Sequence, residues 1–242
     1  MESKYYSPDQ QRAQKVHQLF ATIARRYDLL NDLMSAGLHR RWKRRLVELA
    51  GQSRDVLDLC CGTGDIALKF AREGARVVGA DFTEEMLRVA QTRSVHRSIT
   101  PPLHHSVLWL RADALRLPFP DNAFDAVSVG YGLRNLADIE QGLREIQRVL
   151  RPGGPLVSLD FGKPESAAWR SVYFGYLRTV LPVLGRMFCG DPDTHAYILA
   201  SLLDYPAQRG IKALMESGGY RQCGFKEFLG GAMAINFGTK PG

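Results

Sequence analysis

The spacing of apolar residues changes character along this chain. In the first 50 residues Val16, Leu19, Phe20 and Ile23, and later Trp42, Leu46 and Leu49, recur at steps of three and four, which predicts amphipathic helices. Beyond Asp55 short apolar runs alternate with helical stretches. "DVLDLC" predicts a strand, "DIALKFAREG" a helix stopped at Gly74, "ARVVGAD" a second strand and "TEEMLRVAQTR" a helix with Thr83 as its N-cap. "VLWLRAD" and "NAFDAVSVGYG" read as strands, and "PLVSLDF" as another. Between the last two, Leu136, Ile139, Leu143, Ile146 and Val149 fall on one helical face, with Pro152-Gly153-Gly154 as the stop. Strands alternating with helices predict a parallel sheet covered on both faces.

From Gly162 to Tyr205 the alternation is interrupted by the aromatic-rich "WRSVYFGYLRTVLPVLGRMF" and "HAYILASLLDYP". A helix around Ile211–Gly218 follows, then two short strands, "RQCGFKEFLG" and "AMAINFGT", expected as an antiparallel pair. The segment Ser94–His105 has neither period and contains Pro101-Pro102, so it is expected to be a mobile surface loop, with His104-His105 solvated rather than metal-binding.

A length of 242 residues with 45% hydrophobic content suits one domain with a substantial core. No apolar run reaches the roughly 18 residues that span a bilayer, and "MESKYY" has no leader-like pattern, so a cytoplasmic protein is expected. Cys60, Cys61, Cys189 and Cys223 include no Cys-x-x-Cys pair, so neither a disulfide framework nor a zinc or other metal site is expected. A formal charge of +7 admits a nucleic acid, a membrane surface or a merely solvated basic face.

The chemistry concentrates where "DVLDLCCGTGDIALKF" passes from strand to helix through Gly62-Thr63-Gly64. Such a turn lets backbone amides approach a ligand at the carboxyl edge of a sheet. The dinucleotide spacing G-x-G-x-x-G is not met. Three aspartates add weight: Asp58 in the first strand, Asp81 closing the second and Asp113 following the third. A carboxylate at the end of the second strand can accept two hydrogen bonds from ribose hydroxyls, and Asp113-Ala114 would reach an adenine amine.

"VLDLCCGTGD", "VVGAD", "RADALRLPFPDNAFDAVSVGYGLRN" and "REIQRVLRPGG", in this order, resemble the class I S-adenosylmethionine-dependent methyltransferases. "RRYDLLNDLMSAGLHRRWKRRL", "YGLRN" and the tail "YPAQRGIKALMESGGY" with "GGAMAINFGTKPG" are more closely similar to the ubiquinone/menaquinone biosynthesis C-methyltransferases. The resemblance implies an α/β, Rossmann-like seven-stranded, mostly parallel sheet within a single domain. Residues 1–50 would form an N-terminal helical cap, 51–161 the cofactor-binding core, 162–206 a helical lid insertion, and 207–242 a terminal helix with the antiparallel pair. It implies S-adenosylmethionine as cofactor, held by Asp58, Gly62, Thr63, Gly64, Asp81, Asp113, Ala114 and the backbone of Gly130, where some relatives carry Ser. It also implies methyl transfer to the ring carbon of a prenylated quinol, a demethylmenaquinol first, with a ubiquinone precursor or phytyl-naphthoquinol as the alternative.

A quinol carbon becomes nucleophilic when its hydroxyl loses a proton, and a fixed cation stabilises the phenolate. Arg134 and Asn135 suit that role, with Tyr131 beside them. Arginine is a poor base, so proton removal is expected to use a water or a carboxylate. Tyr27, Asn31, His39, Trp169 and Tyr173 are the candidates for touching the substrate, Trp169 and Tyr173 as part of a lid or tunnel that would include Phe174, Tyr176, Leu177 and Val180. The run from His39 to Arg45, with Trp42 inside it, reads either as an interfacial helix against anionic lipid, which would place the protein at the inner membrane face, or as a solvated charge run. Nucleic acid is not the expected partner: no Asn/Asp-Pro-Pro-aromatic element follows the fourth strand, and no Pro-Cys pair supplies a cytosine nucleophile. Oligomeric state, homodimer included, stays open, and a non-catalytic cofactor-binding scaffold is the remaining class.

Overall fold

The strand-to-helix alternation is the frame on which the rest of the chain hangs. The computed structural model describes residues 4–7, 11–96 and 107–242. Their strands are β1 (Asp55–Leu59), β2 (Arg76–Asp81), β3 (Leu108–Arg111), β4 (Ala126–Gly130), β5 (Pro155–Phe161), β6 (Arg221–Phe228) and β7 (Met233–Thr239). They form one sheet in the order β3-β2-β1-β4-β5-β7-β6. β1 to β5 run parallel, while β7 inserts antiparallel between β5 and β6. The central strands are nearly continuous apolar runs because both faces are covered, as parallel sheets require. The order reverses between β1 and β4, the switch point where open α/β sheets hold ligands at their carboxyl edge.

Nine α-helices lie among the described residues: α1 (Arg12–Ile23), α2 (Tyr27–Ser35), α3 (His39–Ala50), α4 (Asp65–Arg72), α5 (Glu84–His96), α6 (Ile139–Val149), α7 (Ala167–Cys189), α8 (Asp193–Asp204) and α9 (Ala207–Ser217). Asp138 caps α6 by accepting the amide of Gln141 at 2.8 Å. That helix ends at Val149, because Leu150 is already extended, and not at Pro152-Gly153-Gly154; Gly153, at φ +78°, turns the chain toward β5 instead. α5 continues through His96, so Ser94–His96 are helical and not loop. The rest of the expected loop, with Pro101-Pro102 and His104-His105, lies outside the described residues.

α3 corrects the reading of the basic run. Trp42 and Lys43 are buried with Leu46, Val47 and Ala50 where the helix packs on β4 and β5, Leu49 is only half-buried, and Arg40, Arg41 and Arg44 face out. The indole is core, so this helix does not present Trp42 to a lipid.

The insertion is a hairpin of α7 on α8. Tyr173, Leu177, Leu181 and Gly185 form the inner face of α7, whereas Trp169, Val172, Val180, Val183 and Met187 are exposed along its outer side. These apolar residues repeat at helical steps between Arg170, Arg178 and Arg186, all exposed, and α7 contains no acidic residue. No helix of the described residues is long and apolar enough to cross a membrane.

The segment before α1 ties the two ends of α8 to the core. Tyr5 Oη and Lys4 Nζ donate to Asp191 at 3.0 and 2.9 Å, and Tyr6 Oη donates to Asp204 at 3.0 Å. Arg12, at the head of α1, donates to Tyr6 Oη at 2.7 Å and to the carbonyl of Leu136 at 2.9 Å.

Candidate active site

Two cavities meet at the carboxyl edge of the sheet. The larger, about 120 Å³, is floored by the ends of four strands: Leu59, Cys60 and Gly62 at β1, Asp81 to Thr83 at β2, Ala112 to Leu115 after β3, and Gly130 to Gly132 at β4. Its roof is α1, through Ala13, Val16, His17 and Phe20. The smaller, about 20 Å³, is lined by Tyr27, Asn31, Arg134, Phe161, His195 and Tyr197, among others. Tyr27 and Tyr131 line both and form the shared wall.

Cys60 and Tyr131, with φ of +55° and +62°, are non-glycine residues in the left-handed region at the ends of adjacent strands. Each costs of order 1–3 kcal/mol, a strain that characteristically collects where a chain bends around a ligand. Gly62 (φ +54°) lines the floor, and a Cβ there would meet nothing nearer than the Tyr27 ring at 3.9 Å, so its backbone is open to an approaching group. At Gly130 a Cβ would collide with Ile66, so the Ser of some relatives would need Ile66 to move.

Asp81 is set for a diol. Its Oδ2 accepts the amide of Gly62 and its Oδ1 the amide of Thr83, both at 2.8 Å, leaving further lone pairs on each oxygen. Burial raises its pKa, and those backbone donors work against the rise. Asp113 and Ala114 line the same cavity, where Asp113 Oδ1 accepts Leu115 N at 2.9 Å. Two carboxylates, bare backbone at Gly62 and apolar walls from Leu59, Phe20 and Met86 fit a ligand with hydroxyls, an amino group, a positive sulfur and an aromatic base.

Other expected cofactor contacts have different work. Asp58 is fully buried beneath the turn, outside the cavity lining: its oxygens accept Ala67 N at 2.9 Å and Ser128 Oγ at 2.7 Å, and burial pushes its pKa up to about 7. Thr63 is buried, donating to Asp28 at 2.7 Å, and so clamps α2 to the glycine turn. Arg93 extends that clamp by binding Asp28, the carbonyl of Thr63 and Asp65, while Lys43 binds Asp65 at 3.0 Å. Gly64 (φ +81°) caps α4, and a Cβ there would strike the Trp109 ring.

Arg134 is neither exposed nor in a surface salt bridge. It exposes 3% of its surface, with one guanidinium nitrogen 2.7 Å from Asp160 and 3.2 Å from the Tyr131 carbonyl, and the other 2.7 Å from Tyr197 Oη. Burial opposes its charge, yet Tyr197 and Asp160 raise its pKa overall. Its Nε–H has no hydrogen-bond partner among the described residues. Asn135 lines the larger cavity, donating to the Tyr131 carbonyl at 3.2 Å, with Oδ1 unpartnered.

Of the expected substrate residues, Tyr27 and Asn31 line the small cavity; His39, Trp169 and Tyr173 do not. Ser35 Oγ donates to the Asn31 carbonyl at 2.6 Å and so accepts Nδ1–H of His39 at 2.9 Å, which makes His39 a joint between α2 and α3. Trp169 is 40% exposed and donates to the Leu229 carbonyl at 2.8 Å. Tyr173 is buried and donates to the Ala232 carbonyl at 3.1 Å. Val180 faces outward, so it lines no tunnel. Among the described residues no carboxylate lines the small cavity, so of the two expected bases, a water or a carboxylate, the second is not found there. Asp160, Thr194, His195 and Tyr197 were missed; the sequence signals were His195 and Tyr197 as polar-tipped residues in the otherwise apolar "HAYILASLL" and Asp160 as an acid near the end of "PLVSLDF".

Comparison with known proteins agrees with this geometry. The model of the ubiE/COQ5 methyltransferase family matches residues 9–240. The Ubiquinone/menaquinone biosynthesis C-methyltransferase UbiE of Azotobacter vinelandii is 39% identical over 97% of this chain and 93% of its own length. That of Teredinibacter turnerae is 39% identical over 95% and 92%. Among solved structures, a SAM-dependent methyltransferase from Thermotoga maritima superposes with a TM-score of 0.64 at 18% identity, covering 92% of this chain and 99% of that one. The [4+2]-cyclase SpnF superposes at 0.62 with 20% identity, covering 95% and 96%, so the fold alone does not dictate the reaction. With its sheet order, its glycine turn bound to Asp81 at the carboxyl edge, and a family match over nearly its whole length, the chain belongs to the ubiE/COQ5 methyltransferase family, and S-adenosylmethionine is its cofactor.

Proposed function

We propose that this protein methylates a ring carbon of a prenylated demethylmenaquinol. The observation that carries the reading is a buried guanidinium, Arg134, in a small aromatic cavity that shares the Tyr27–Tyr131 wall with the cofactor cavity. S-adenosylmethionine supplies a methyl group already activated on a sulfonium, so the protein's work is alignment and activation of the ring. Asp160 and Tyr197 hold the guanidinium rigid, and its unpartnered Nε–H is free to donate to a phenolate oxygen. Tyr27, Tyr131, Phe161 and Tyr197 provide the flat apolar faces that favour a fused naphthoquinol over a single ring. Ile23, Leu30, Met34 and Ile198 extend that wall and suit an isoprenoid tail.

A cavity of about 20 Å³ is smaller than any aromatic ring, so α2 or α8 must move aside to admit the substrate. The exposed apolar stripe of α7 between three arginines gives the protein a face for the anionic inner leaflet where such a lipid resides. This role belongs to α7 and not to Trp42.

Incubation with labelled S-adenosylmethionine and, in parallel, reduced demethylmenaquinone, a reduced ubiquinone precursor and tRNA tests the reading. Label in the naphthoquinol supports it. Label confined to the benzoquinol corrects the ring, and label in tRNA or in no quinol overturns it.

A further inference from the structure

The insertion brings to the small cavity one side chain that spacing and charge do not mark out. His195, on α8, exposes 2% of its surface and lines the cavity with Arg134, Tyr27, Tyr131 and Tyr197. Its Nδ1 lies 2.9 Å from Thr194 Oγ1, which in turn lies 2.7 Å from the carbonyl oxygen of Asp191. A carbonyl only accepts, so the single hydroxyl proton of Thr194 is committed to Asp191. Thr194 must then accept from His195, which fixes the ring proton on Nδ1 and the lone pair on Nε2. The Nδ1 contact is the ring's one hydrogen bond among the described residues.

The other titratable groups that line the cavity already hold their protons near neutral pH, and Asp160, behind the cavity wall on β5, is engaged by the Arg134 guanidinium at 2.7 Å. Tyr27 from α2, Tyr131 after β4 and Tyr197 from α8 have pKa values raised, chiefly by burial. Arg134 is already charged and its pKa is raised further. On the α7 side Cys189 stands near Thr194 with its thiol pushed up by burial. Burial lowers the pKa of His195 to about 4, so its ring is neutral.

Resting on the quinol reading above, we propose that Nε2 of His195 is the base that removes the hydroxyl proton of the substrate ring. The O–H bond breaks, its proton passes to Nε2, and its electron pair enters the ring beside the Arg134 guanidinium. The adjacent ring carbon forms the new C–C bond as the donor's methyl–sulfur bond breaks, the bonding pair staying on sulfur. The ring C–H proton then leaves to water, aromaticity returns, and the imidazolium gives its proton back to the ring oxygen. One proton is released for each methyl transferred.

The test is single-turnover methyl transfer, under anaerobic reducing conditions, from pH 6 to 9 with reduced demethylmenaquinone. His195→Asn keeps an N–H donor near the Nδ1 position and removes the base. At pH 7 its rate should fall about 10²-fold, the lower end of the range for general-base catalysis, because a base whose pKa lies below the operating pH is a weak one. It should then climb about tenfold per pH unit as the quinol ionises unaided, while the parent stays flat, because a base of pKa about 4 is already free throughout. A variant that keeps the parent's profile, at whatever rate, overturns the proposal. Should the variant not fold, ¹⁵N spectra of the native protein decide: His195 as the Nδ1–H tautomer supports the proposal, and the Nε2–H tautomer or an imidazolium at pH 7 overturns it. A parent that methylates no reduced quinone is a different result, since it refutes the quinol reading itself and the base assignment with it.

Discussion

Replacing Arg134 with Ala is expected to damage the fold before it reports on chemistry. Arg134 and Asp160 expose 2% and 4% of their side chains and stand 2.7 Å apart. Removing the guanidinium leaves the Asp160 carboxylate buried with only the amides of Phe161 at 2.8 Å and of residue 134 at 3.3 Å. Stranding one charge of a buried pair costs about 3–5 kcal/mol. For a chain of this length each kcal/mol moves Tm by about 2–4 °C, so the variant should melt roughly 6–20 °C below the parent. Arg134→Met with Asp160→Asn removes both charges and should recover at least half of that loss. Urea titrations of the parent, Arg134→Met, Asp160→Asn and the double variant at pH 7 close the cycle, with Arg134→Ala measured beside them. A cost below about 1 kcal/mol for Arg134→Ala, or single effects that simply add, would show that the pair is not the strut described here.

On the reading that Asp81 accepts the cofactor's hydroxyls, Asp81→Ala should weaken S-adenosylmethionine by about 1.5–3 kcal/mol; calorimetry showing parental affinity in a folded variant would refute it. Asp58 has a folded pKa of about 7 against an ordinary 3.8. The folded carboxyl therefore keeps its proton where the unfolded one has lost it, and stability falls as pH rises from about 4 to 7 and is then level in this contribution. Asp58→Asn should flatten that part of the curve, and denaturant midpoints that track the parent's at every pH would dismiss the argument. Val183→Glu with Met187→Glu places two acids on the outer stripe of α7 and should abolish sedimentation with anionic vesicles while leaving Tm within about 2 °C; undiminished binding would move the membrane face elsewhere.

What could be read from the sequence was what period and strand ends encode. β1 to β5 are apolar runs with a helix after most of them, so a parallel sheet covered on both faces followed from alternation, whereas the seven strands came with the family resemblance and their order only with the structure. Asp81 was legible because it is the last residue of β2, where a side chain clears the sheet. Asp58 shows the limit: it sits one residue before the end of β1, turned onto α4, where strand position does not tell a ligand contact from an internal cap. α3 misled because Lys43, buried against Asp65, looks in sequence like one more surface cation. His195 and Tyr197 were hard to read because their place beside Arg134 depends on α8 packing against α7 and the Leu133–Asn135 turn after β4, a long-range placement that local spacing does not carry.

The hydrogen bonds of Tyr5, Tyr6 and Arg12 have a kinetic meaning as well. They lash α1, the roof of the cofactor cavity, to α8, a wall of the ring cavity. Such a tether couples the two cavities. On the quinol reading, an outward movement of α8 would strain the same hydrogen bonds that hold α1 over the larger cavity, so opening one cavity would loosen the other. Tyr6→Phe, which deletes the bonds to Asp204 and Arg12 but leaves Tyr5 and Lys4 on Asp191, would weaken that coupling without abolishing it.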